Sequence, residues 1–139
     1  MSDAGRMATI YAAAFPDSRA WTAAEIDALL ATGRVHAVAQ THGFALVQVV
    51  GPEAELLTIA VRPEAQGQGL GAAILSDVLD LAATRGAEAL FLEVDAENRP
   101  ARQLYARVGF TQTGLRKNYY RHRDGRRSDA VLMSCKLDA

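Results

Sequence analysis

Three glycines at alternate positions in Gln66-Gly67-Gln68-Gly69-Leu70-Gly71 give the strongest chemical signal in the chain. Residues without Cβ let a backbone turn tightly and bring several N–H groups against one anion. The apolar pattern that starts at Leu70 predicts a helix there, and the positive end of its dipole would add to the attraction. A phosphate or pyrophosphate suits such a turn. No Gly-Lys-Ser or Gly-Lys-Thr follows, so the turn is not a Walker loop. Gly67-x-Gly69-x-x-Ala72 loosely fits a dinucleotide fingerprint, with Glu93 or Asp95 as the downstream acid. Against that reading, Gly67 does not follow the strand directly, and no second mononucleotide-binding half is evident.

Glu93 stands alone among apolar neighbours in Ala89-Leu90-Phe91-Leu92-Glu93-Val94. Strand alternation points it away from the face of Leu92 and Val94. A carboxylate so placed either meets solvent or is held for a task, and the pattern alone leaves both open. Tyr105 lies twelve residues on in a helical stretch, where packing is the commoner fate of a tyrosine. From Arg116 to Arg127, cations interleave with Tyr119 and Tyr120, as in a solvated hairpin or an RNA-binding surface that uses phosphates and stacking. His36, His42 and His122 show no metal-ligand spacing, so no metal is expected. Ser76 and Ser128 lack the glycine context of an elbow nucleophile. Cys135, in a terminal strand, reads as a buried inert thiol.

These residues need elements to position them. Ala8, Tyr11, Ala12 and Phe15 recur at helical spacing before Pro16. Thr22 three residues ahead of Glu25 is a capping-box pattern opening a helix over 23–31, with Gly33 as its stop. Two β-like runs, 35–41 and 44–50, flank His42-Gly43 as a hairpin. A third strand spans 53–61 with Leu57, Ile59 and Val61 on one face, and ends at Arg62-Pro63. Leu70, Ile74, Val78 and Ala82, with Leu75 and Leu79 beside them, predict a helix over 70–85. A strand at 89–94 follows, then a helix capped by Asn98 with Pro100 in its first turn, reaching Val108. Segments 110–120 and 130–137 close the chain around the turn signal Asp124-Gly125. The order α-α-β-β-β-α-β-α-β-β predicts an α/β (α+β) fold, a mixed sheet with helices on both faces.

The 139 residues fit one domain, and half of them are apolar, enough for a self-sufficient core. One cysteine excludes an internal disulfide. The opening residues lack a signal-peptide pattern and no apolar run approaches a membrane span, so a soluble, cytoplasmic protein is expected. Residues 1–115 carry 8 basic and 13 acidic side chains, a net of −5, whereas 116–139 carry 7 and 3, a net of +4. The overall charge of −1 thus conceals a basic C-terminal segment.

Ile59-Ala60-Val61-Arg62-Pro63 followed by Gln66-x-x-Gly69-x-Gly71 resembles the acetyl-coenzyme A signature of the GCN5-related N-acetyltransferase (GNAT) superfamily. Leu92-Glu93-Val94, Asn98, Leu104-Tyr105, Gly109-Phe110 and Asn118-Tyr119-Tyr120 are similar to the RimI-type ribosomal-protein-alanine N-acetyltransferases. The likeness runs from about Glu53 to Met133. It implies a GNAT fold and direct acetyl transfer, in a ternary complex, from acetyl-CoA to the N-terminal alanine of a small-subunit ribosomal protein. It also implies residue roles. Backbone of Ile59, Ala60 and Val61 would meet the pantetheine arm and thioester. Gln66, Gly67, Gln68, Gly69, Leu70, Gly71 and Ala72 would cradle the pyrophosphate, and Asn98 would touch the same cofactor. Glu93 would be the general base, Tyr105 the general acid, and Tyr119 and Tyr120 would lie near the acceptor peptide. The nearby arginines would help approach to a ribosomal assembly or hold the 3′-phosphate. Three departures from the family pattern bear on the acceptor and the sheet edge. The chain starts almost in a helix, so the leading edge strand is expected to be missing. Ser128-Asp129 replaces an acidic pair, and Phe15-Pro16-Asp17 with Trp21-Thr22 replaces a Pro-Trp-Ser-like element. A small-molecule amine acceptor, or a non-catalytic basic module binding RNA or ribosomal surfaces, are the competing readings.

Overall fold

The computed structural model describes residues 3–16 and 21–137. Helices α1 (Asp3–Ala14) and α2 (Ala23–Ala31) precede strands β1 (Val35–Ala39), β2 (Gly43–Val50) and β3 (Glu53–Val61). Helix α3 (Leu70–Thr84), strand β4 (Ala89–Asp95), helix α4 (Arg99–Val108) and strands β5 (Thr111–Arg121) and β6 (Arg127–Lys136) follow. This is the expected order. One six-stranded sheet runs β1-β2-β3-β4-β6-β5, and its β3–β4 pair alone is parallel. The parallel pair is where α3 crosses over, since parallel neighbours need a long connection.

Local chemistry sets the elements. Thr22 Oγ1 accepts from Glu25 N at 3.1 Å while Thr22 N donates to Glu25 Oε1 at 3.2 Å, the capping box read from sequence. Ile74, Leu75, Val78 and Ala82 of α3 are fully buried. Together with α4 they cover one face of the sheet, over Ala45, Val47, Leu90, Leu92, Val94, Val131 and Met133. On the other face α1 and α2 pack Ala4, Met7, Ile10 and Ile26 against Phe44, Leu46 and Ala60. The helices therefore lie on both sides, as expected. The buried stripe of α1 is Ala4-Met7-Ile10, with Ala8, Tyr11 and Phe15 only flanking it and Ala12 outside that core.

Two boundaries, one burial and one facing differ from the sequence reading. The first hairpin turns at 40–42, with Gln40 N donating to Gly43 O at 2.8 Å, so His42-Gly43 is not its turn. Strand β6 starts at Arg127, three residues early, because the partner strand extends to Arg121 and pairs with it. Cys135 is half-buried rather than buried. Leu57 does not share a face with Ile59 and Val61. Leu46 pairs with Thr58 and Val47 with Leu56, so Leu57 is an unmatched bulge residue. One extra residue inverts the alternation, and Leu57 packs toward α1 while Ile59 and Val61 pack toward α3.

The β3–β4 ladder matters most for function. Its pairs are Glu53↔Ala89, Ala54↔Leu90 and Glu55↔Phe91, although the strands are nine and seven residues long. Beyond Glu55 the strands separate. Among the described residues no strand precedes α1, so β1 and β5 are the edges. No described helix is long and apolar enough to cross a membrane.

Candidate active site

The turn from β3 to α3 is built to leave its amides free. Gly67 and Gly69 adopt φ of +78° and +82°, where a side chain would be strained and where the space around each is open. Gly69 occupies the N-cap of α3 without a side chain to cap it. Among the described residues, the N–H groups of 67–72 find no acceptor in the chain, the first intrahelical bond being Ala73 N to Gly69 O. Six donors with the helix dipole behind them form an anion cradle. Gln66 Nε2 donates to Val61 O at 3.0 Å and Gln68 Nε2 to Glu64 O at 3.5 Å, so both carboxamides brace the turn and leave the cradle to the backbone. Gly71 answers a packing need: a Cβ there would meet Leu104 Cδ2 of α4 at 3.3 Å.

Upstream of the turn, the separated part of β3 holds Ile59, Ala60 and Val61. Their side chains enter the two cores, Ala60 toward α1 and the other two toward α3. Their backbone edge toward β4 has no ladder partner. Unpaired strand edges accept extended ligands. A linear molecule carrying amides and ending in a diphosphate fits this edge and this cradle together.

Glu93 lies across the gap on β4, opposite Leu132 of β6, with its side chain about one quarter exposed. Leu92 and Val94 are buried on the other face, as alternation required. Arg116 Nε approaches Glu93 Oε1 at 3.3 Å, and the Arg116 guanidinium also sits 5.3 Å from the Tyr119 ring centre. Tyr105 belongs to the α3/α4 core, its ring 5.8 Å from Phe110. Burial first, and Tyr120 second, push its phenol up to about 12. The hydroxyl therefore holds its proton throughout the neutral range. Glu93 and Tyr105 thus lie on opposite faces of the sheet, and Tyr120 is within electrostatic reach of both. Its own phenol is raised to about 12 by burial, then by Glu93, Asp95, Tyr119 and Tyr11. Tyr119 and Tyr120 meet edge to face at 5.2 Å, Tyr119 half-exposed.

Asn98 is the N-cap of α4, its Oδ1 accepting from Ala101 N at 3.3 Å. That leaves its carboxamide nitrogen for a ligand. Two interactions with the site residues were not visible in the sequence, Arg116 with Glu93 and Tyr11 with Tyr120. Tyr11 lies 4.9 Å from Phe15 and 6.0 Å from Trp21, an aromatic wall made by α1, the residue after it and the residue before the α2 cap. Its helical spacing was visible; its electrostatic effect on Tyr120 of β5 was not. His122 Nε2 comes within 3.5 Å of Asp95 Oδ2 and 3.9 Å of Glu97 Oε1, a grouping that linear spacing hid. Ser128 Oγ takes that nitrogen at 2.8 Å and Arg126 pairs with Glu97, so the group is already satisfied internally. The basic segment is likewise partly neutralised, Arg116 by Glu93 and Arg126 by Glu97 and Asp124. A cavity of about 430 Å³ beside α4, lined by Arg99, Arg102, Gln103 and Met133, holds none of the site residues.

A parallel pair that parts after Glu55, a turn of unengaged amides and a partly buried carboxylate on β4 are set on one mixed sheet. Residues 3–110 match the Acetyltransferase (GNAT) family, and the chain belongs to that family. It is similar to the [ribosomal protein bS18]-alanine N-acetyltransferase of Escherichia coli K12, 46% identical over 94 residues, 68% of this chain and 63% of that protein. The corresponding protein of Haemophilus influenzae is 42% identical over 98 residues, 70% and 66% of the two chains. The matched stretch thus spans just under two thirds of these relatives. The crystal structure of the ribosomal-protein-S18-alanine N-acetyltransferase from Escherichia coli superposes with a TM-score of 0.83 at 34% identity, over 99% of this chain and 89% of that one. Nourseothricin acetyltransferase superposes with a TM-score of 0.63 at 36% identity, over 70% and 58%.

Proposed function

We propose that the protein transfers acetyl from acetyl-CoA to a primary amine, the N-terminal α-amine of a protein, with an alanine-initiated small-subunit ribosomal protein as the acceptor. The observation that carries this is the β3–β4 separation ending on a turn with six unengaged amides, with Glu93 on the separated part of β4. The names of the similar proteins support the acceptor class. The action belongs in the cytoplasm, where ribosomal proteins are made.

Acetyl-CoA would supply the thioester. Residues 67–72 would hold its diphosphate, the edge of Ile59–Val61 would align its amide arm, and Asn98 would add a donor. An α-ammonium has no lone pair for attack, but its pKa near ~8 leaves it partly neutral, unlike lysine near ~10.4. Glu93, directly or through one water, takes its proton. A backbone N–H near Val61 steadies the developing oxyanion. The departing thiolate, of pKa near ~8.5, receives the proton that Tyr105 retains. Tyr119 and Tyr120 line the acceptor side.

An acetylation assay on peptides beginning Ala, Ser, Met or Gly, beside a panel of small amines, tests the proposal. Turnover strongest on the Ala peptide supports it. Turnover confined to small amines would replace the acceptor class, and no acetyl-CoA binding by calorimetry would leave a non-catalytic module.

A further inference from the structure

We infer that Asp129 is a positioning residue that aims the Tyr119–Tyr120 pair by holding Asn118 in a left-handed conformation. This rests on the reading of that pair as the acceptor wall. Arg116 pairs with Ala130 and Tyr120 with Ser128, so Lys117, Asn118 and Tyr119 together face Asp129 alone. Asn118 sits at φ +55°, the only non-glycine residue with positive φ among those described. That region is disfavoured for L residues, and asparagine tolerates it best.

The excursion changes where Tyr119 points. In a regular strand, Tyr119 would face away from both Arg116 and Tyr120. Here its ring contacts both, at 5.3 Å from the Arg116 guanidinium and 5.2 Å from the Tyr120 ring. The left-handed residue immediately before Tyr119 is what turns it to the Glu93 side. Asp129 Oδ1 accepts the Asn118 N–H at 2.9 Å, a charge-assisted bond that reaches this conformation directly. Two neighbours on β6 hold the ends. Arg127 Nη1 donates to Asn118 O at 3.4 Å, and Ser128 Oγ meets His122 Nε2 at 2.8 Å. Three consecutive residues of β6 therefore grip the segment that presents the tyrosines.

The test compares Asp129→Ala, Asp129→Asn, Asn118→Gly and the double variant Asn118→Gly/Asp129→Ala with wild type. Asp129→Ala should raise the KM for the Ala peptide roughly five- to tenfold, with kcat and acetyl-CoA affinity little changed. Asp129→Asn, which keeps an acceptor of lower charge, should fall between. Glycine adopts φ +55° unaided, so the double variant should return KM to near that of Asn118→Gly. A double variant as impaired as Asp129→Ala, or an Asp129→Ala KM equal to wild type, overturns the inference. Amide exchange and ring shifts by NMR supply a readout independent of the acceptor. Asn118 N–H protection and the Tyr119 ring shift should be lost in Asp129→Ala, and the ring shift should return in the double variant. Unchanged ring shifts in Asp129→Ala would also overturn it. If wild type acetylates no peptide but the NMR pattern holds, the acceptor reading fails and the latch stands.

Discussion

At Glu93 charge and shape can be separated, because glutamine keeps one and loses the other. Glu93→Gln should lower kcat at neutral pH by on the order of 10²-fold while acetyl-CoA affinity stays near wild type. Calorimetry beside steady-state rates reads both, and an unchanged kcat across the pH range would remove Glu93 from the mechanism. Tyr105→Phe should cost less with thioesters of better leaving groups, since a more acidic thiol needs less help. Equal loss with every donor would assign Tyr105 to packing. Tyr105 also predicts a pH effect on stability. Its folded pKa of about 12 lies above the ordinary 10.0, so the folded state keeps a proton the unfolded state gives up. Its contribution is fully present below pH 10 and is lost as pH rises from there through about 12. That is on the order of 2–3 kcal/mol for so buried a phenol. Urea midpoints across this interval should fall less steeply in Tyr105→Phe than in wild type.

The elements that matter are those that stop short. Strand β3 loses its β4 partner after Glu55, and α3 begins on an uncapped glycine. Gly69→Ala places a Cβ at φ +82°, a conformation that costs non-glycine residues roughly 1–2 kcal/mol. The turn would relax and turn some amides away from the anion. Acetyl-CoA affinity should fall about tenfold, the equivalent of ~1.4 kcal/mol, by calorimetry. A wild-type affinity would show that the amides do not bind the diphosphate.

Across the whole molecule, two cores divide the labour. The α3/α4 core carries the cradle and Tyr105, whereas the α1/α2 core supports Tyr11 and the aromatic wall. Ile26 is fully buried in the latter. Ile26→Ala should cost about 2–5 kcal/mol in urea unfolding, as for comparable core truncations. In the folded fraction it should raise the acceptor KM and spare acetyl-CoA affinity. Equal loss of both would mean the faces are not independent.

Much of this was legible in one dimension. The α3 stripe, the Thr22 capping box, the glycine turn and the isolation of Glu93 rest on interactions a few residues apart, so spacing alone revealed them. What depends on neighbours distant in the chain did not show. The Leu57 bulge flips a strand face because β2 fixes the register. Strand β6 reaches back to Arg127 because β5 offers it partners. Tyr120 comes within electrostatic reach of both Glu93 and Tyr105 because β6 inserts beside β4 and sends β5 to the edge. Local spacing carries the chemistry of the backbone turn, but side chains from separate elements meet only when long-range pairing sets register, and no short window contains that pairing.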